Sequence, residues 1–173
     1  YRLIQPDYTS LGVSYITNNY QSLGVNLGTH ISRLSLNGNL TAQSDNLDGK
    51  QLYTTRGYVY SANASLPFDW GLNLTAGYNG YMQKQYDGMA IVPDSSRIHR
   101  STSSYSFTPS YEFTTTNTNN NISLSANYTT NEDLNPNATG ESDVQTLAIG
   151  AGYSLSVIPI ETSFSFNYSH QQS

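Results

Sequence analysis

The sequence predicts an all-β fold, namely an antiparallel up-and-down transmembrane β-barrel. Three observations support this prediction: apolar and polar residues alternate with a period of two, short and long connections alternate along the chain, and charged residues avoid the alternating segments. A period of two is typical of a strand with one apolar and one polar face. We expect residues 1–173 to be one domain, with about nine strands that belong to a larger barrel in a longer chain.

The alternation is clearest in residues 70–82. The even positions run from Trp70 through Leu72, Leu74 and Tyr78 to Met82, whereas the odd positions are Gly, Asn, Thr and Tyr. This segment is longer than the five or six residues of a common globular strand. Its apolar face carries rings near both ends and aliphatic side chains between them, as expected of a strand that spans a bilayer.

Other alternating segments predict the remaining strands. They lie at residues 11–16, 23–28, 34–43, 57–66, 104–113, 122–128, 147–155 and 164–168. Residues 1–8 are predicted to be a turn or the tail of an earlier strand, residues 30–33 a polar turn, and residues 85–101 the longest irregular segment. No segment shows the periodicity of a helix.

The composition excludes several classes of protein. Only 11% of the residues are charged, against about a quarter in an ordinary soluble domain. The mean hydropathy is -0.48, and no apolar run approaches the roughly 18 residues of a membrane helix. A net charge of -5 with seven basic residues argues against a nucleic-acid partner. The absence of cysteine excludes a disulfide framework.

The predicted connections differ between the two ends of the strands. Those near residues 68–69, 116–119 and 157–159 are short, whereas the loops around Asp45, Asp94 and Asp133 are longer and hold most of the charge. Bacterial outer-membrane barrels have short periplasmic turns and longer external loops. We therefore expect a location in the bacterial outer membrane.

The aromatic residues of the apolar face are predicted to form two belts at the membrane interfaces, where ring and polar tip prefer different solvents. The external belt comprises Tyr58, Tyr60, Tyr78, Tyr105, Tyr128 and Tyr168, and the periplasmic belt comprises Phe68, Trp70, Tyr111 and Phe113.

The opposite face is polar but almost uncharged, which bears on function. Between the loops it offers Ser, Thr, Asn, Gln and Gly, whereas a porin commonly lines its pore with charge. We expect a transport or translocation pore, or a component of an envelope complex. Two alternatives remain open: a scaffold barrel with a filled lumen, and a secreted soluble β-sandwich or adhesin with its apolar face in a core.

Several short motifs resemble the C-terminal barrel part of uncharacterised outer-membrane proteins of Bacteroidetes. They are P-D-Y-T-S-L-G at residues 6–12, D-N-L at 45–47 with Lys50, T-T-R at 54–56, and Y-S-L at 153–155 before I-P-I at 158–160. The resemblance covers most of the chain and implies a place in a Gram-negative envelope, with no assigned activity.

Candidate sites are few. A binding site in the longest external loop is predicted to comprise Asp94, Arg97, His99 and Arg100. Asp94 and His99 also resemble the Asp/His pairs of outer-membrane proteases, but a solvated loop is the simpler interpretation, and the sequence predicts no enzyme and no catalytic, cofactor or metal site. Oxygen ligands of Asp45, Asn46 and Asp48 suit Ca²⁺, but the full calcium-loop pattern is missing and a plain turn explains these residues better.

The expected partners follow from the membrane prediction. They are the lipid bilayer and lipopolysaccharide, with other envelope proteins or a plug segment as further candidates. Glu112 is the one carboxylate expected within the polar face of the barrel wall, near its periplasmic end.

Overall fold

The computed structural model describes residues 1–4, 19–89, 91, 93–137, 143–157 and 162–172. Within them the chain forms one antiparallel sheet in which each strand pairs with the next along the sequence. The predicted all-β, up-and-down architecture is thus confirmed. The nine strands are β1 (Arg2–Ile4), β2 (Tyr20–Ile31), β3 (Leu34–Asp45), β4 (Tyr53–Pro67), β5 (Leu72–Asp87), β6 (His99–Thr114), β7 (Thr118–Asp133), β8 (Val144–Val157) and β9 (Thr162–Gln172).

The connections alternate in length as predicted. At one end of the sheet, the turns 32–33, 68–71 and 115–117 have two, four and three residues. At the other end, the loops 46–52, 88–98 and 134–143 have seven, eleven and ten residues. We call these the turn edge and the loop edge. A 3₁₀ turn, Asp94–Ser96, lies in the middle loop.

Several predicted boundaries were wrong. The strand predicted at residues 11–16 lies outside the described residues, whereas the segment before it contributes the short strand β1. His30 belongs to β2 and not to a turn, because pairing continues to Ile31 opposite Leu34. The irregular segment 85–101 is shorter than expected, since β5 extends to Asp87 and β6 begins at His99.

The sheet is a single layer without a hydrophobic core. No described hydrophobic side chain is buried, and strands contact only their neighbours in the sheet. The buried side chains are polar and belong to Asn19, Asn46, Gln85 and Asn120. β1 and β9 form the two edges and do not pair with each other in the described part of the chain, so the sheet is open there.

The register shifts from one side of the sheet to the other. One row of directly paired residues comprises Thr29, Leu36, Ala64, Ala76, Phe107, Ala126, Ile149 and His170. Leu36 is two residues from the start of β3, whereas His170 is eight residues from the start of β9. The stagger is therefore six residues over six strand spacings.

This stagger defines the tilt of the strands relative to the turn edge. One residue advances about 3.4 Å along a strand, and neighbouring strands lie about 4.8 Å apart. A stagger of one residue per strand spacing therefore tilts the strands by about 35° from the normal to the turn edge. Strands in closed barrels tilt by about 35–45°.

Pro109 interrupts one ladder without changing its register. Pairs between β6 and β7 stop at Phe107 and resume at Ser110, and both sides keep the same offset. Proline has no N–H to donate, so the gap falls where it stands.

Candidate functional site

The apolar face of the sheet carries many exposed hydrophobic side chains in the described part of the chain. Its central row places Leu36, Ala64, Ala76 and Phe107 side by side, and side chains paired across strands lie on the same face. Phe107 is 47% exposed, and Ile149 in the same row is 53% exposed. No second layer of described residues covers these side chains.

Four tyrosines of the predicted external belt form a continuous ladder across β4 to β7. The ring centroids of Tyr60 and Tyr78 lie 5.7 Å apart, those of Tyr78 and Tyr105 4.8 Å, and those of Tyr105 and Tyr128 6.4 Å. The Tyr128 hydroxyl donates to Oε1 of Gln145 over 3.0 Å. The rings thus form a continuous band across the middle part of β4 to β7, and the polar tip of Tyr128 has a hydrogen-bond partner.

The other two members of that predicted belt flank the ladder. Tyr58 lies two residues from Tyr60 toward the loop edge and is exposed. Tyr168 pairs with Ala151 on β8. It is six residues from the start of β9, the same distance as Tyr78 from the start of β5.

The predicted periplasmic belt is a second cluster of rings at the turn edge. Trp70 lies 5.7 Å from Phe68 and 5.9 Å from Tyr111, and Tyr111 lies 5.7 Å from Phe113 between ring centroids. The alternation predicted Trp70 in the strand, but it lies in the turn before β5.

The backbone conformation of Gly71 explains why Trp70 lies in the turn and not in β5. Its φ of 96° is a conformation that favours glycine. The turn is closed by the Phe68 N–H, which donates to the Leu72 carbonyl over 2.7 Å. The Glu112 N–H donates to the Gly71 carbonyl over 2.8 Å, which ties the turn to β6 and brings Trp70 beside Tyr111.

The polar face is linked across strands by hydrogen bonds between neutral side chains. Thr102 donates to Asn131 over 2.7 Å, and the hydroxyls of Ser104 and Thr129 are 3.0 Å apart. Glu112 lies on this face opposite Asn121 near the turn edge, as predicted, and its side chain is exposed. The middle of the face therefore offers hydroxyl and amide groups to water.

The predicted binding site in the longest loop is only partly assembled. Arg97 bridges the carboxylates of Asp87 and Asp94, at 2.6 Å and 2.9 Å. Asn135 donates to the carbonyls of Asp94 and Arg97 over 2.7 Å and 2.8 Å, which joins this loop to the next one. These groups hold the loop in place.

His99 and Arg100 were wrongly placed in the loop, because both belong to β6. His99 pairs with Lys84, and Arg100 with Gln83, so the two side chains point to opposite faces. In the described part of the chain, the structure joins Asp94 to Arg97 and not to His99.

The turn after β3 uses the three candidate calcium ligands for its own hydrogen bonds. Asp45 accepts from the Thr55 N–H over 2.5 Å, and Asn46 accepts from the Gln51 N–H over 2.9 Å. The Asp48 carboxylate accepts from the Lys50 N–H over 3.2 Å, which lowers the pKa of Asp48. Within the described residues, no group of three or more acidic or histidine side chains is arranged to hold a metal ion.

A row of basic side chains lies on the apolar face at the loop edge and was not predicted from the sequence. Arg56 is paired with Lys84, which is paired with His99. The signal was present, since Lys84 and Tyr86 continue the even positions of Tyr78 and Met82.

Comparison with protein-family models, with curated proteins and with solved structures finds no match to this chain. In the part of the chain that the structure describes, no helix is both long and apolar enough to cross a membrane. The two faces of the sheet and its loop edge are the features that bear on function.

Proposed function

We propose that the sheet is part of the wall of an integral outer-membrane β-barrel, with its apolar face toward lipid and its polar face toward a water-filled lumen. The observation that supports this is the uncovered apolar face, on which two groups of aromatic rings bracket a largely aliphatic band that also contains Phe107. Tyr105 and Phe113 lie eight residues apart on β6. That separation is about 27 Å along the strand, or about 22 Å along the normal at a tilt of about 35°. The apolar band of such barrels is about 25 Å tall.

A soluble β-sandwich is less consistent with this surface. In a sandwich the apolar face packs on a second sheet about 10 Å away. The described strands form one sheet only, and Leu124 on its apolar face is 53% exposed. Burial stabilises a protein by about 25 cal/mol for each Å² of apolar surface, and side chains left in water lose this stabilisation.

Closing the proposed barrel requires further strands. β1 and β9 run in the same direction, because successive strands are antiparallel and eight reversals separate them. An all-antiparallel barrel that contains this sheet therefore includes an odd number of additional strands, which gives the even total of single-chain bacterial barrels.

The activity we propose is passage of small hydrophilic solutes with little selectivity for charge. The polar face has no ionisable group except tyrosine between Gly57 and Leu66 on β4 or between Leu72 and Gln83 on β5. Rings of charged side chains set the ion selectivity of many pores, and this face lacks them in those segments.

Planar-bilayer conductance tests the pore. We expect the full chain, once inserted, to conduct cations and anions about equally. Asn63→Lys, on the polar face, is expected to shift the selectivity toward anions, whereas Lys50→Gln in a loop leaves it unchanged. Inserted protein without conductance would contradict the pore and favour the scaffold with a filled lumen.

A further inference from the structure

Three basic side chains form a row across β4, β5 and β6 at the loop edge of the apolar face. Arg56 lies directly opposite Lys84, and Lys84 lies directly opposite His99. Tyr86 shares this face: the Arg56 guanidinium carbon lies 5.1 Å from the centre of its ring, and the Lys84 amine 5.5 Å. We call Arg56, Lys84 and His99 the basic row.

The basic row has no anionic partner within the described residues. Arg56 and Lys84 are exposed, and neither has a carboxylate within 4 Å there. Glu132 lies on the same face, but it is paired with Ser101 and not with His99. Like charges directly opposite one another destabilise a sheet. An anion bound between them would reverse that cost.

The position of the basic row indicates which kind of anion would bind there. Arg56 lies two residues beyond Tyr58 on β4, about 7 Å farther toward the loop edge. The exposed Tyr58 and the ring ladder that begins at Tyr60 continue the same face toward the aliphatic band. An anion at the basic row that is attached to a hydrocarbon chain would therefore find an apolar surface directly below it.

We propose that Arg56, Lys84 and His99 bind the phosphate of an anionic membrane lipid whose acyl chains lie along the face below. This inference rests on the proposed membrane-facing role of the apolar face. Arginine offers phosphate a planar fork of donors and lysine a compact charge. The Tyr86 ring contacts both cations but forms no salt bridge with them. Arg56 and Lys84 can therefore both donate hydrogen bonds to a phosphate.

The test uses the full chain in nanodiscs of phosphatidylcholine that carry a small fraction of diphosphorylated lipid A or of phosphatidylglycerol. The lipid retained after extraction is counted by native mass spectrometry. The variant is Arg56→Gln with Lys84→Gln. The matched control is Arg100→Gln, because Arg100 lies one residue beyond His99 and on the opposite face.

We expect the double variant to bind the phosphorylated lipid about 30-fold more weakly, which corresponds to about 2 kcal/mol. The control should match the unmodified protein. Retention of lipid A alone or of both lipids identifies the source of the phosphate, and each supports the proposal. Equal retention by the double variant would overturn it, as would full displacement of the lipid by millimolar inorganic phosphate.

Failure of the two proposals can be told apart. Insertion into pure phosphatidylcholine, read from heat-modifiable gel mobility, tests the membrane role without an anionic lipid. A protein that inserts normally but retains no phosphorylated lipid would leave the membrane role standing and refute the basic row as a lipid site.

Discussion

At the scale of single residues, glycine makes room for an aromatic ring on the apolar face. A side chain on Gly80 would collide with the ring of Tyr60, which lies across it from the paired strand. Covering a glycine with a neighbouring aromatic ring is a known way of stabilising a sheet. Gly38 differs, because an added Cβ there would meet only ordinary van der Waals contact, with the Ser61 carbonyl.

Gly80→Ala is therefore expected to displace the Tyr60 ring and weaken its contact with Tyr78. The expected loss is about 0.5–1.5 kcal/mol, the value of an aromatic pair. Gly38→Ala is the control and should cost less. Urea titration of the folded form, read from gel mobility, measures both, and equal stability of the two variants would contradict the ring contact.

A second residue-scale prediction concerns Asp48. Hydrogen bonds from the Lys50 backbone and from Asn19 lower its pKa from the ordinary 3.8. A lowered pKa in the folded state stabilises the turn above the unfolded pKa, and this stabilisation is lost as the pH falls through the folded value.

We therefore expect the Lys50 amide proton to exchange faster, relative to its intrinsic rate, once the pH drops below about 4. Hydrogen exchange followed by NMR measures this rate. Asp48→Asn should remove the acid-induced change. A protection factor that is insensitive to pH in the unmodified protein would show that the carboxylate does not stabilise the turn.

At the scale of elements, alternation explains the strands well. Each described strand from β2 to β9 overlaps a predicted one, because apolar residues such as Leu34 and Leu36 recur at every second position. Strand ends were less predictable. His30 and Asp87 are polar and resemble loop residues, yet they continue the ladder because cross-strand pairing, and not polarity, decides where a strand ends.

The loop edge could not be predicted in the same way. The ion pairs of Arg97 with Asp87 and Asp94 depend on how the loop folds back. No regular spacing in the sequence predicts them. The basic row needed the register, since Arg56, Lys84 and His99 come from three strands. The proposed site at the loop edge therefore became visible only from the structure.

Alternation also makes a prediction for adjacent residues of one strand. Ala126 lies in the central row of the apolar face, and Asn127 lies on the polar face. Arginine at the lipid-facing midplane of a barrel costs about 2–4 kcal/mol. We expect Ala126→Arg to lose stability of that size in lipid vesicles and Asn127→Arg to lose little, as measured by urea unfolding. A similar loss for both would contradict the assignment of faces.

At the scale of the whole molecule, the alternation of apolar and polar residues and the tilt of the strands are consistent with the same architecture. The period of two defines the faces, and the stagger of one residue per strand tilts the strands by about 35°. The pattern alone does not contain the stagger, because it depends on the length of each turn and on the pairing that follows. Together they give a staggered single layer, which is the geometry that the proposed barrel wall requires.

The most direct test of the account is depth-resolved quenching by brominated acyl chains. In a Trp70→Phe background, the account predicts strong quenching of the new indole in Leu124→Trp. It predicts weak quenching in Ser125→Trp, whose side chain lies on the polar face. Strong quenching of both variants, or of neither, would contradict the claim that the apolar face contacts lipid.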